Sequence, residues 1–134
     1  MTMAQTIPEM PSTWAGSEPE WICYATLIQL GKILDEDFTY QSPLMGGRLD
    51  KGGSVIDFLF KDPPDLAINV QGNYYHYGMG TGTATRDILA RVQLASIGII
   101  LIFIDEDNLG DDPFYYVREA LRYRDHSRLG SRGL

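Results

Sequence analysis

Asp57, Asn69 and Gln71 stand on two neighbouring apolar runs, Val55-Ile56-Asp57-Phe58 and Leu66-Ala67-Ile68-Asn69-Val70-Gln71-Gly72, and are the first residues whose type and spacing could do chemistry. Asn69 and Gln71 are two apart, so an extended strand puts them on one face, while Asp57 brings a carboxyl among Ile and Phe neighbours. Oxygen ligands on adjacent strands can hold one or two magnesium ions against a phosphodiester, with a cationic or polar group offsetting the charge that builds at phosphorus. Glu20, on a helix able to cover the pair, is a further candidate ligand beside Asp57 and Asn69. Two positions depart from this chemistry. The Asn69 carbonyl is neutral and a weaker magnesium ligand than a carboxylate, and neutral Gln71 cannot offset transition-state charge as a lysine does.

The elements that must position these groups follow from periodicity and punctuation. Ser17-Glu18-Pro19-Glu20 is a capping box with proline in the first turn, which predicts a helix over Pro19 to Leu30 with its stop at Gly31. The same pattern offers Glu20 a purely structural task, as the reciprocal partner of Ser17. Alternation and β-branched content predict strands at Asp37 to Gln41, Val55 to Lys61 and Leu66 to Gln71, with Met45 to Gly53 as a glycine-rich loop or hairpin connection. Ala84 to Ile97, with Ile88, Leu89, Val92 and Ala95 on one side and Gly98 beyond, reads as a second helix. Ile99 to Ile104 is apolar throughout, as expected of a central strand covered on both faces, and Pro113 to Arg124 is a last helix. The order of elements predicts an α/β domain with a mixed sheet.

With 134 residues, 44% of them hydrophobic, the chain suits one domain, here 17–125, flanked by an extended N-terminal arm over 1–16 and a C-terminal arm over 126–134. A single Cys23 excludes an internal disulfide, and the absence of a basic segment followed by an apolar run argues against a secretory signal, so a cytoplasmic location or incorporation in a virus-like particle is expected. No stretch is long enough to span a membrane. The net charge of -7 disfavours nucleic acid as a partner. Residues 118–134 nevertheless carry +3 through Arg118, Arg122, Arg124, Arg128 and Arg132, leaving -10 on the rest, so these arginines are the candidates for contact with nucleic acid or with an acidic protein surface.

In their order along 17–109, the motifs resemble the PD-(D/E)xK nuclease superfamily, in particular its small members similar to the very-short-patch repair endonuclease. Ser17-Glu18-Pro19-Glu20 and its helix resemble the family's first helix, and Asp37 to Leu44 the edge strand before the active-site hairpin. Val55-Ile56-Asp57-Phe58 resembles the strand with the family's aspartate, Ile68-Asn69-Val70-Gln71-Gly72 the (D/E)xK strand, and Gly72-Asn73-Tyr74-Tyr75-His76 the aromatic-histidine segment after it. Arg86-Asp87, Arg91, Leu94 and Gly98 resemble the second helix and its exit. The resemblance implies a restriction-endonuclease-like three-layer core, a mixed sheet of about four strands flanked by helices. It also implies metal-ligating or catalytic roles at Glu20, Asp57 and His76, with Asn69 in place of the carboxylate and Gln71 in place of the lysine.

That pattern leads to a catalytically degenerate nuclease-fold domain acting as a structural or adaptor subunit of a larger assembly, such as a phage virion, with other protein subunits or further copies of itself as partners and no cofactor. The alternatives are an active endonuclease or resolvase with Mg²⁺, using Glu20, Asp57, Gln71 and His76, and a nucleotide-binding module using Gly78-Met79-Gly80-Thr81-Gly82. Simpler roles compete at each residue. Asp57 could pair with Arg48, Arg86 or Arg91, and His76 among Tyr74, Tyr75 and Tyr77 could merely pack. Asp105 to Gly110 begins like a calcium loop, but Leu109 and Tyr116 stand where oxygen ligands are needed, so a solvated acidic loop is expected there. The eight tyrosines suit a protein interface.

Overall fold

The computed structural model describes residues 6–42, 56–72 and 81–130, leaving aside the side chains of Ser42 and of residues 81–85. Among the described residues four strands, β1 (Phe38–Ser42), β2 (Ile56–Phe60), β3 (Leu66–Gln71) and β4 (Ile100–Asp105), lie in the order β1-β2-β3-β4. The first two pairs are antiparallel and β3-β4 is parallel. The helices are α1 (Glu18–Gln29), α2 (Thr81–Ser96), α3 (Glu106–Asp111) and α4 (Pro113–Leu121). The expected α/β domain with a mixed sheet is thus present, and no helix among the described residues is long and apolar enough to cross a membrane.

Each face of the sheet has its own core. Phe38, Phe58, Phe60, Leu66, Ile68, Ile102 and Ile104 pack with Cys23 and Leu27 of α1 and with Val117 and Ala120 of α4. Ala67, Leu101 and Phe103 pack on the other side with Leu94 of α2 and with Leu129. Alternation along β3 and β4 sorts the two sets, as the period of two requires.

Local chemistry sets the helix ends. Ser17 Oγ accepts the Glu20 N–H at 3.3 Å, and Pro19 sits in the first turn of α1. Gly31 (φ 94°) and Gly98 (φ 87°) terminate α1 and α2 in the left-handed region. In both cases the following residue reaches back to close the last turn, Lys32 N to Leu27 O at 3.0 Å and Ile99 N to Leu94 O at 2.9 Å. Tyr123 does the same for α4 at φ 65°, an unfavourable conformation for a side chain of its size, and its hydroxyl donates to Pro64 O at 2.6 Å.

Four expectations change. The acidic stretch after Asp105 is the short helix α3 rather than a loop; its first turn carries Glu106 and Asp107, which suit a helix N-terminus, and Leu109 is buried. β4 is an edge strand, not a central one, because its apolar run reports cover on both faces and not its place in the order. The last helix ends at Leu121, about one turn before Asp125 is needed elsewhere. On α2 the sheet-facing residues are Ile88 with Asp87, Arg91 and Leu94, whereas Leu89 and Val92 are 55% and 47% exposed. Arg91 accounts for that rotation. Its guanidinium lies over the Phe103 ring at 5.6 Å and donates to Leu129 O, so its stem takes an inward place.

The flanking segments fold back on the domain. Trp21 Nε1 donates to Pro8 O at 2.8 Å and Gln29 Nε2 to Thr6 O at 2.8 Å, which lays 6–16 along α1. At the other end Asp125 accepts the outward-facing Phe103 N–H of β4 at 2.9 Å, and Leu129 is fully buried. Residues 125–130 thereby close an edge that would otherwise present open hydrogen-bonding groups to another strand.

Candidate functional site

The antiparallel ladder between β2 and β3 stops at Phe58↔Ile68. One residue further, where Asp57 and Asn69 would pair next, side chains replace the ladder: Asp57 N–H donates to Asn69 Oδ1 at 2.8 Å, and Asp57 Oδ2 accepts from Val70 N–H at 2.8 Å. The strands part over this reciprocal clamp. Ile56, which plain alternation would set beside Phe58, packs instead in the opposite core with Leu94, Leu101 and Phe103.

Side chains from β1, β3, α1 and α2 complete the cluster. Gln71, fully buried at the end of β3, donates through Nε2 to Asp87 Oδ2 of α2 at 2.9 Å. Tyr40 of β1 donates its hydroxyl to Glu20 Oε1 of α1 in a short hydrogen bond, and Gln41 Nε2 donates to the same hydroxyl at 3.2 Å. Glu20 is therefore held by β1, not as the reciprocal partner of Ser17. Cys23, one turn further along α1, is completely buried.

The electrostatics follow from half-buried carboxylates gathered near one another. Burial, with the charges of Glu20 and Asp87 nearby, pushes the Asp57 carboxyl up from 3.8 to about 8, against the opposing effect of the Val70 hydrogen bond. Burial likewise pushes the Cys23 thiol well up, aided by Asp57 and Glu20. The Tyr40 hydroxyl is raised by burial and by the proton it gives to Glu20.

A strap covers one side of the cluster. Trp14 stacks on Tyr40 with centroids 4.7 Å apart, meets Trp21 edge-on at 5.2 Å and Tyr24 at 5.2 Å, and donates through Nε1 to Ser17 O at 3.1 Å. Gly16 passes so close that a Cβ there would overlap Tyr40 Oη and come within 2.6 Å of Glu20 Oε1.

Of the residues singled out by sequence, Glu20, Asp57, Asn69 and Gln71 converge on this region, and His76, Arg48 and Gly78 to Gly80 lie outside the described residues. Asp57 does not meet Arg91, which points to Phe103 and Leu129, and Arg86 is exposed on α2. Tyr40 and Asp87 carry site roles that sequence reasoning left unassigned. An acid in the inward phase of α2, beside Arg91 and Leu94, is the signal that would have found Asp87.

The arginines serve the chain itself in most cases. Arg124 and His126 each approach Glu119 at 3.0 Å, Arg122 lies 3.9 Å from it, and Arg128 reaches Asp105 at 3.2 Å and Asp107 at 2.8 Å. Arg118 is exposed, and Arg132 lies outside the described residues.

Of the oxygens that the nuclease resemblance would give a divalent ion, Glu20 Oε1 accepts from Tyr40, Asp57 Oδ2 from the Val70 N–H and Asn69 Oδ1 from the Asp57 N–H. Among the described residues no group of three His, Cys, Asp or Glu side chains is placed to hold a metal. Comparison with known protein families, characterised proteins and solved structures finds no match for this chain.

Proposed function

We propose that this chain is a nuclease-derived domain of the restriction-endonuclease-like, three-layer PD-(D/E)xK type that has exchanged metal chemistry for internal hydrogen bonding, and that it serves as a structural or adaptor subunit of a larger assembly such as a phage virion. The observation that carries the reading is the clamp between β2 and β3. Asp57 and Asn69 spend their side-chain oxygens on each other's strands, and the amide in place of a carboxylate is what lets two such groups stand together without a cation. Gln71 fits the same account, since a neutral amide can donate to Asp87 inside the fold. Support for the assembly half comes from apolar side chains left outside, among them Leu89, Val92, Ile97 and Ile100.

A magnesium-dependent endonuclease or resolvase has one observation on its side: the charges of two further carboxylates, Glu20 and Asp87, both act on Asp57. The two readings separate in one assay. The full chain, incubated with supercoiled and branched DNA in Mg²⁺ or Mn²⁺, should leave both intact, and calorimetric titration with Mn²⁺ should show no stoichiometric heat. Cutting that disappears in Asp57→Ala would overturn the proposal.

A further inference from the structure

Between the strap and the junction of α3 with α4 runs an open groove of about 260 Å³. Met10 of the strap, Trp21 and Ile22 of α1 and Leu109 of α3 line it, with Trp21 held in place by its bond to Pro8 O, and the groove ends on Pro113, the first residue of α4. Two exposed carboxylates, Glu9 and Glu18, complete the lining, and no Lys, Arg or His of the described residues does. Neither carboxylate has an ion pair or a hydrogen bond among the described residues. An apolar slot with an indole ring and two unpaired acids suits an arginine, whose carbon stem packs on apolar surface while its guanidinium meets the ring and the carboxylates.

The chain carries such arginines at the other end of α4. Arg118, Arg122 and Arg124 against Glu119 give +2 in a chain of net charge -7. Arg122 and Arg124 keep 64% and 60% of their side chains exposed beside Glu119, and Arg118 is exposed with no ion pair among the described residues. Tyr115, Arg118 and Arg122 fall on one exposed stripe at helical spacing. The groove adjoins the first turn of α4 and the arginines its last, so two copies with these helices antiparallel about a twofold axis bring each patch to the other's groove. With the axis between Tyr116 and Val117, Tyr115 of each copy falls opposite Arg118 of the other, and Arg122 opposite the Gly110–Pro113 corner that lines the groove. A polyphosphate strand suits the patch less well, because the remaining -9 of the chain would face it. We infer that Arg118 and Arg122 of one copy dock at the Glu9–Glu18 groove of a second copy, reciprocally, in a twofold dimer along α4. The inference rests on the assembly half of the reading above, for which it names a partner, and is independent of the chemical half. DNA cleavage would sink that reading and leave the dimer untouched.

Sedimentation of the full chain across about 1–200 μM at low salt should show a monomer–dimer equilibrium, weakened about tenfold by roughly 0.5 M NaCl. Arg118→Glu with Arg122→Glu, and separately Glu9→Arg with Glu18→Arg, should each weaken it by roughly a hundredfold while circular dichroism stays that of the parent, since all four side chains are exposed. An equimolar mixture of the two double variants should dimerise within about tenfold of the parent, because reversed patch meets reversed groove on one side of the axis and native patch meets native groove on the other. A parent that stays monomeric throughout, a double variant that dimerises as the parent does, or a folded mixture no stronger than either variant alone would each overturn the inference. So would a monomeric parent that binds a short oligonucleotide through Arg118 and Arg122.

Discussion

At Asn69 a single oxygen separates the side chain present from the carboxylate a nuclease strand would carry. The amide accepts the Asp57 N–H as well as a carboxylate would, but it adds no charge to a place already holding Glu20, Asp57 and Asp87. Asn69→Asp should therefore cost about 1–3 kcal/mol in urea unfolding at pH 7, because a new charge must be buried or protonated beside its like. Asn69→Ala should cost about as much for a different reason, an Asp57 N–H left without its acceptor. Mn²⁺ should not restore the stability of Asn69→Asp. Recovery by the metal would mean that the cluster remains a working cation site, and the closed-clamp account would fall.

Among the elements, the strap shows what local pattern can and cannot reveal. The residues before the first helix lack an apolar period, so an extended arm is the natural reading, yet Trp14 finds Tyr40 and Gly16 passes over the Tyr40–Glu20 bond. Such contacts join positions more than twenty residues apart, beyond the reach of any periodicity. The same holds for Asp125 on Phe103 and for buried Leu129, which turn an expected arm into the closure of the β4 edge. By contrast β3 is legible to the residue, since its apolar run lies between a proline turn and a glycine. The helix α2 was legible at its C-terminal end, though it starts at Thr81 rather than Ala84, and not in rotation, because Arg91 takes an inward place that hydrophobicity assigns to an apolar side chain. The strap makes a measurable demand on Gly16. Gly16→Ala should cost about 1–3 kcal/mol and speed both acrylamide quenching of tryptophan and proteolysis within 6–16. Gly110→Ala, on α3 with nothing within 4 Å of the added methyl, should be neutral or stabilising by up to about 1 kcal/mol. Equal effects at the two positions would show that the strap does not press on the site.

For the molecule as a whole, two carboxyl groups shifted in opposite directions set how stability depends on pH. Glu119, hydrogen-bonded to His126 and paired with Arg124, is held below its ordinary 4.5, so its contribution is complete above that value and is lost as pH falls through the folded pKa. Asp57, raised by burial from 3.8 to about 8, works the other way: between those values the folded chain holds a proton that the unfolded chain has released, so stability declines as pH rises through the window. The two limbs meet in mildly acidic solution. Self-repulsion in a chain of pI about 4.6 also grows toward alkaline pH and adds to the second limb. Urea midpoints of dilute protein should therefore peak near about pH 4 and fall steadily to about pH 8, where many proteins are still near their optimum. Asp57→Asn, whose amide can still accept the Val70 N–H, should flatten the limb between pH 5 and 8 and exceed the parent in stability at pH 8, while Glu119→Gln should flatten only the limb below about pH 4.5. A parent whose stability rises from pH 5 to 8, or an Asp57→Asn variant with an unchanged slope, would show that Asp57 is ionised in the folded chain and that the buried cluster is balanced by positive charge.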